Sequence, residues 1–211
     1  MTADESSHTL ATLSGIPVKV HYSYYAFVIA VISGCVLLAS TAKAILVIQV
    51  LIGTFFAVLF HELGHAYVAH RLRHKVVDIM IYPIGGIATI ILDRDRHSDV
   101  AKIAIAGPLV NIVIGCIFCI IPFEWSFNAG LINLFLGVGN LLPVKSFDGG
   151  LILHSTLSNI FNKNVANNIL YKLTILIVCA ITILGFYASS ITICAIGLFV
   201  FVYGVLTCEE E

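Results

Sequence analysis

Six apolar runs dominate the chain, and the length of five of them predicts membrane-spanning helices. A helix needs about 20 apolar residues to cross the hydrocarbon core of a bilayer, because it rises only 1.5 Å per residue. The fourth run is too short to span alone: it begins further back, at Phe127, or it ends inside the bilayer beside a buried site. The predicted spans are residues 22–40, 45–69, 103–121, 131–142, 169–187 and 191–206.

A segment rich in β-branched residues lies between the second and third predicted spans. Residues 76–92 read VVDIMIYPIGGIATIIL, with many β-branched residues around Pro83 and the pair Gly85-Gly86. β-branched side chains favour strands, and proline and glycine mark turns. We therefore expect a membrane-associated β-hairpin or re-entrant loop within an otherwise all-α polytopic membrane protein.

The polar segments complete the expected domain organisation. The first twenty residues lack the positive start and short apolar core of a signal peptide, so they predict a retained cytoplasmic tail. The whole chain, 1–211, is expected to form a single transmembrane domain. Its parts are the tail 1–20, the first four spans 21–142 with the hairpin 76–92, a polar segment 143–160 and the last two spans 167–207.

Composition supports a membrane protein. The chain is 59% hydrophobic and 11% charged, whereas a soluble domain carries about 25% charged residues. The expected surroundings are therefore a lipid bilayer. The net charge of -1 gives no reason to expect a nucleic-acid partner.

The positive residues predict the orientation of the spans. With six spans, one side of the membrane receives nearly all of the lysine and arginine, and the other receives only Lys43. Because an excess of these residues marks the cytoplasmic side, both termini should be cytoplasmic. The residues on that side are Lys19, Arg71, Arg73, Lys75, Arg94, Arg96, Lys102, Lys145 and Lys163.

The second predicted span contains the pentad His61-Glu62-Leu63-Gly64-His65. Two histidines four residues apart lie on one face of a helix, where both imidazoles can bind zinc, and the adjacent glutamate can act as a general base. Ionisable residues inside a membrane span are costly, which favours a functional role over chance. His61 lies ten residues before Arg71, roughly 15 Å along a helix, so the site should open towards the cytoplasm.

A catalytic zinc site needs a third protein ligand and one open position. Asp148 is the candidate, because it precedes Gly149-Gly150 and the apolar run LILHSTL. Taken alone, Asp148 would be read as the N-cap of that helix, since aspartate caps helices well. The need of the pentad for one more ligand favours metal binding.

The chain resembles the site-2 protease family of intramembrane zinc metalloproteases. The resemblance rests on HELGH together with NLLPVKSFDGG at residues 140–150, and it extends over roughly residues 15–160. GIPVKVHYSYY at 15–25, YPIGGIATI at 82–90 and AGPLVN at 106–111 look like the corresponding segments of compact bacterial and archaeal members. We expect a member of that type, without a CBS or PDZ domain.

The resemblance implies the roles of the site residues. His61, His65 and Asp148 would bind one catalytic Zn²⁺, Glu62 would activate water, and Asn140 would help to position the substrate. The substrate would be the transmembrane segment of another protein, cut within or near the membrane during regulated intramembrane proteolysis. The expected location is the prokaryotic cell membrane, with the active site open to the cytoplasm, and a regulatory membrane protein is a further partner that the sequence leaves open.

The chain departs from the family pattern near Asp148. Ser146-Phe147 stands where Pro-Leu is common, and Leu151 stands where arginine is common, so local substrate contacts are less certain than the ligands. Two other functions stay open: a catalytically silent relative that binds membrane proteins, and a divalent-metal transporter. Asn111 could line the cleft or merely pack helices together. His97 and His154 receive no role.

Overall fold

The computed structural model describes residues 6–38, 40–92 and 96–204. Seven helices and four strands lie within them. In chain order they are β1 (Ser7–Leu13), β2 (Ile16–His21), α1 (Tyr22–Leu38), α2 (Thr41–Arg71), β3 (Lys75–Tyr82), β4 (Gly85–Ile91), α3 (His97–Ile120), α4 (Glu124–Asn140), α5 (Asp148–Ser158), α6 (Lys163–Tyr187) and α7 (Ile191–Gly204).

Each predicted span corresponds to a helix of the structure. By length and composition, three helices of the described residues can cross a membrane, namely α2, α3 and α6, while α1 and α7 are shorter apolar helices. The fourth run begins earlier than the sequence indicated, at Glu124, which gives α4 17 residues. The last part of the predicted sixth span, 205–206, lies outside the described residues. A count of six membrane crossings stays a prediction.

A four-stranded sheet accompanies the helices, so the β-structure is larger than the single hairpin that the sequence predicted. Its order is β1-β2-β3-β4, with antiparallel β1–β2 and β3–β4 pairs and a parallel β2–β3 pair. The predicted hairpin at 76–92 is confirmed as β3 and β4. Within the predicted tail 1–20 the structure forms β1 and most of β2, and residues 1–5 are outside the description. The cytoplasmic location of this segment stays a prediction.

Alternating side chains explain why β2 joins the sheet. Val18 and Val20 are 1% and 2% exposed, whereas Lys19 between them points away and forms an ion pair with Asp78 of β3 at 2.7 Å. Such a period of two is the signature of a strand with one buried face. The alternation covers only Val18 to Val20, so it stands out less in the sequence than the long apolar runs.

The chain divides into two compact units. The first contains Met1–Asp93 and Ala106–Gly139, and its core packs the sheet against α2. Val18, Val20, Ile79 and Ile81 of the sheet meet Val58 and Ala66 of α2 in this core. The sheet therefore supports the helix that carries the pentad.

The second unit contains Arg94–Ile105 and Asn140–Glu211. Val144, Val178 and Val200 form its buried cluster, and the Lys145 backbone N–H donates to Thr174 Oγ1 at 3.1 Å. A Cβ on Gly150 would overlap the Val144 carbonyl. The glycines after Asp148 thus let the start of α5 pack directly on the preceding backbone.

Candidate metal centre

The long helix α2 carries both pentad histidines and the glutamate into a buried environment. His61, Glu62 and His65 are 5%, 6% and 8% exposed. The two imidazole centroids lie 4.7 Å apart with their planes at 85°. One turn of helix separates the histidines, so α2 places both side chains on the same face.

The Nε2 atoms of both histidines face the same point on α3. A Cβ built on Gly107 would collide with His65 Nε2 and come within 2.9 Å of His61 Nε2. Gly107 therefore keeps a Cβ out of the space beside both nitrogens. Two imidazole nitrogens that converge on one point fit a zinc ion, whose Zn–N distances are about 2.0–2.1 Å.

Two asparagines form a hydrogen-bond network that contacts the Nδ1 atom of His61. Its Nδ1 lies 2.6 Å from Oδ1 of Asn111, a residue that is 0% exposed. The Asn111 Nδ2 donates to the Ala57 carbonyl and to Asn133 Oδ1, each at 2.9 Å. The role of Asn111 that the sequence left open is thus contact with His61, and not only helix packing.

Glu62 lies against the hairpin. Its Oε2 accepts a hydrogen bond from the Ala88 backbone N–H of β4 at 2.9 Å. A Cβ on Gly86 would approach Glu62 Cγ to 2.6 Å, so the glycine makes room for the carboxylate side chain. The hairpin and the predicted general base are therefore in direct contact.

The second unit holds the other two predicted site residues. Asp148 is the first residue of α5, and Phe147 is the N-cap, with extended backbone (φ -107°, ψ 161°). Asp148 thus occupies the first turn of α5 and not the capping position that the alternative interpretation gave it. Asn140 is the last residue of α4 and is half-buried. Their roles as metal ligand and substrate contact stay predictions.

His97 and His154, which the sequence left without a role, lie in the second unit. Burial lowers the pKa of His154, and the positive charges of His97, Lys145 and Lys163 lower it further. His154 Nε2 is buried and makes no hydrogen bond to the described protein atoms. This histidine is therefore kept neutral near physiological pH.

Sequence reasoning missed three contributors to the site. Asn133 lies on α4, and no sequence pattern around it indicated that it would take part in the network around His61. The backbone N–H of Ala88 carries no side-chain signal at all. Gly107 was visible only as part of AGPLVN, whose small residues do allow close approach of α3 to α2.

Comparison with known proteins identifies the family. The model of Peptidase family M50 matches residues 49–127 and 122–184, which include the pentad and Asp148. The chain belongs to peptidase family M50. The resemblance to site-2 proteases that the motifs indicated is thereby confirmed.

Relatives of the M50 chain are named as metalloproteases. A zinc metalloprotease of Methanocaldococcus jannaschii is 32% identical over 205 residues, covering 91% of this chain and 58% of that protein. A Synechocystis protein named as a proposed zinc metalloprotease is 34% identical over 110 residues, which cover 48% of this chain and 29% of that protein. The chain thus spans about a third to rather more than half of the length of these relatives.

A solved structure shares the fold of this M50 chain. The site-2 protease from Methanocaldococcus jannaschii superposes with a TM-score of 0.71 at 28% sequence identity. The match covers 97% of this chain and 96% of that chain. The helical fold with its small sheet is therefore that of a site-2 protease.

Proposed function

We propose that this chain is a zinc-dependent endopeptidase that cuts peptide bonds within or near the transmembrane segments of other proteins. The observation that carries the proposal is the buried pair His61 and His65, whose Nε2 atoms both lie beside Gly107, with Glu62 between them in sequence. Membership of peptidase family M50 and the zinc metalloproteases among its relatives support it.

Three side chains are proposed to hold the zinc ion: His61, His65 and Asp148. Two imidazoles and one carboxylate are a donor set that can bind a metal ion, and three protein ligands leave one position open for catalysis. A bound zinc ion supplies Lewis acidity, which makes water more nucleophilic and a peptide carbonyl more electrophilic near neutral pH.

Glu62 is proposed as the general base. It follows a metal ligand directly, is buried, and has a carboxylate that can take the proton of the attacking water and pass it to the leaving amine. The low exposure of the site keeps bulk water away from the charged groups, which strengthens their electrostatic interactions.

The hairpin at 81–91 is proposed to bind the unwound substrate as an added strand. β4 is an edge strand within the described sheet, so a second chain can pair with it. A substrate helix must unwind before its peptide bond can be attacked, and pairing would satisfy the backbone groups so exposed. The contact of Glu62 with Ala88 supports this position, because a strand on β4 would lie beside the base. Asn140 is proposed as a further substrate contact.

The proposed setting is the membrane of a prokaryotic cell. α2, α3 and α6 are suited to cross a bilayer, and apolar side chains such as Leu37, Ile120 and Phe186 are more than three-quarters exposed. We propose that the six apolar helices act as one transmembrane domain with cytoplasmic termini, a cytoplasmic opening of the site and a transmembrane protein as substrate. A regulatory membrane protein is compatible with this arrangement, and the net charge of -1 gives no reason to propose a nucleic-acid partner.

The test is cleavage of a co-expressed single-span substrate by the Glu62→Gln variant. We expect cleavage to be lost while zinc content is unchanged, because glutamine keeps the shape of the side chain but cannot accept the proton. Glu124→Gln, a change of the same chemistry at the exposed start of α4, is the control and should cleave normally. Full activity of Glu62→Gln would overturn the proposed mechanism.

A further inference from the structure

We propose that Asn111, held in place by Asn133, is a positioning residue that determines which nitrogen of His61 faces the metal. The inference rests on the proposed role of His61 as a zinc ligand. It starts from the depth of the network: Asn111 is 0% exposed and Asn133 is 5% exposed. Buried polar groups of this kind need defined partners, because an unsatisfied donor or acceptor costs about 1–3 kcal/mol.

The hydrogen bonds define which way the Asn111 amide points. Its Nδ2 carries two hydrogens, and these go to the Ala57 carbonyl and to Asn133 Oδ1, both at 2.9 Å. A flipped amide would place its oxygen against the Ala57 carbonyl oxygen, where neither atom could donate. The Asn111 oxygen therefore faces His61.

Asn133 is held in the same way. Its own Nδ2 donates to the Ala129 carbonyl at 2.9 Å, one turn earlier on α4. Its Oδ1 is therefore turned towards Asn111 and accepts the hydrogen bond described above. Two backbone carbonyls, those of Ala57 and Ala129, thus anchor both amides, and no choice of orientation is left.

The tautomer of His61 follows from this network. An oxygen at 2.6 Å from Nδ1 can only accept, so Nδ1 must carry the hydrogen. In a neutral imidazole the other nitrogen, Nε2, then has the free electron pair. Nε2 is the atom that lies beside Gly107. The network therefore presents the metal-binding nitrogen of His61 before any metal arrives.

Groups that orient a metal-binding histidine typically change metal affinity by 10- to 100-fold when they are removed. We expect Asn111→Leu, which keeps the approximate shape but has no acceptor, to weaken zinc binding by about 10- to 100-fold. Asn111→Asp should bind more tightly than Asn111→Leu, because a carboxylate oxygen also accepts from Nδ1. The measurement is competition for zinc between the purified full chain and a chelator.

A purely structural role would give a different pattern. In that case Asn111→Leu and Asn111→Asp would lower the unfolding temperature of the metal-free protein, while the folded protein would bind zinc with unchanged affinity. Equal zinc affinity of wild type and Asn111→Leu would overturn the proposal. His61→Ala tests separately whether His61 is a zinc ligand, on which this inference rests. If His61→Ala retains full zinc affinity, the ligand assignment itself is wrong.

Asn133 provides a second route if Asn111→Leu does not fold. Asn133→Asp keeps an acceptor for Asn111, whereas Asn133→Leu removes it and leaves the Asn111 amide held by the Ala57 carbonyl alone. The proposal predicts that Asn133→Leu lowers zinc affinity more than Asn133→Asp does. Equal affinities in the two Asn133 variants would contradict it.

Discussion

A single methyl group at Gly107 should close the zinc site. In Gly107→Ala the new Cβ would collide with His65 Nε2 and lie 2.9 Å from His61 Nε2. Ordinary contacts of a Cβ are 3.4–4 Å, so both imidazoles would have to move by half an ångström or more. A zinc ion must approach each nitrogen to about 2.0–2.1 Å, and the methyl group occupies the space through which it would do so.

The expected loss follows from these distances. We expect zinc affinity to fall at least about tenfold, which corresponds to about 1.4 kcal/mol. The helix itself should tolerate the change, because alanine is favoured over glycine in a helix interior by about 0.8–1.0 kcal/mol. The metal-free protein should therefore fold, and the defect should lie in metal binding.

The assay is zinc competition with a chelator, together with thermal unfolding of the metal-free protein. Gly34→Ala is the matched control, because a Cβ on Gly34 of α1 meets nothing within 4 Å. It should bind zinc as the wild type does. If Gly107→Ala keeps wild-type zinc affinity, the two Nε2 atoms do not share a metal beside Gly107, and the geometry of the centre is wrong.

Three further predictions concern stability, each measured by the unfolding temperature of the purified protein. Burial lowers the pKa of His154, so the unfolded chain binds a proton at this residue more readily than the folded chain does. The native state should therefore lose stability as the pH falls below about 6.5. His154→Gln should reduce this loss between pH 7.5 and 5, and a pH profile identical to that of the wild type would refute the prediction. Lys19→Met removes the ion pair between β2 and β3 and should lower the free energy of unfolding by about 1 kcal/mol. An unchanged unfolding temperature would show that the ion pair with Asp78 does not stabilise the sheet. Gly150→Ala forces a Cβ onto the Val144 carbonyl and should destabilise the second unit strongly, whereas normal stability would mean that the turn before α5 can move freely.

Local sequence patterns were sufficient to predict features whose residues all lie within one helix or one hairpin. The pentad, the hairpin around Pro83 and the apolar helices all follow from spacing over fewer than about 20 residues. The start of α4 was misplaced because Glu124 and Trp125 are polar or amphipathic and so fall outside an apolar run, although they are helical.

Long-range pairing explains what the sequence did not reveal. β2 joins β3 through a parallel pair, and Lys19 and Asp78 are 59 residues apart. Asn111 lies 50 residues from His61 and 22 residues from Asn133. Hydrogen-bond partners at such separations leave no periodicity along the chain, so only the folded structure brings them together.

The central claim is that one zinc ion is held by His61, His65 and Asp148. The most direct measurement is the zinc content of purified protein by elemental analysis, compared among the wild type, Glu62→Gln and Asp148→Ala. We predict about one zinc ion per chain in the wild type and in Glu62→Gln, and a marked loss in Asp148→Ala, because a site with two histidines alone lacks its third ligand. Unchanged zinc content in Asp148→Ala would contradict the ligand set.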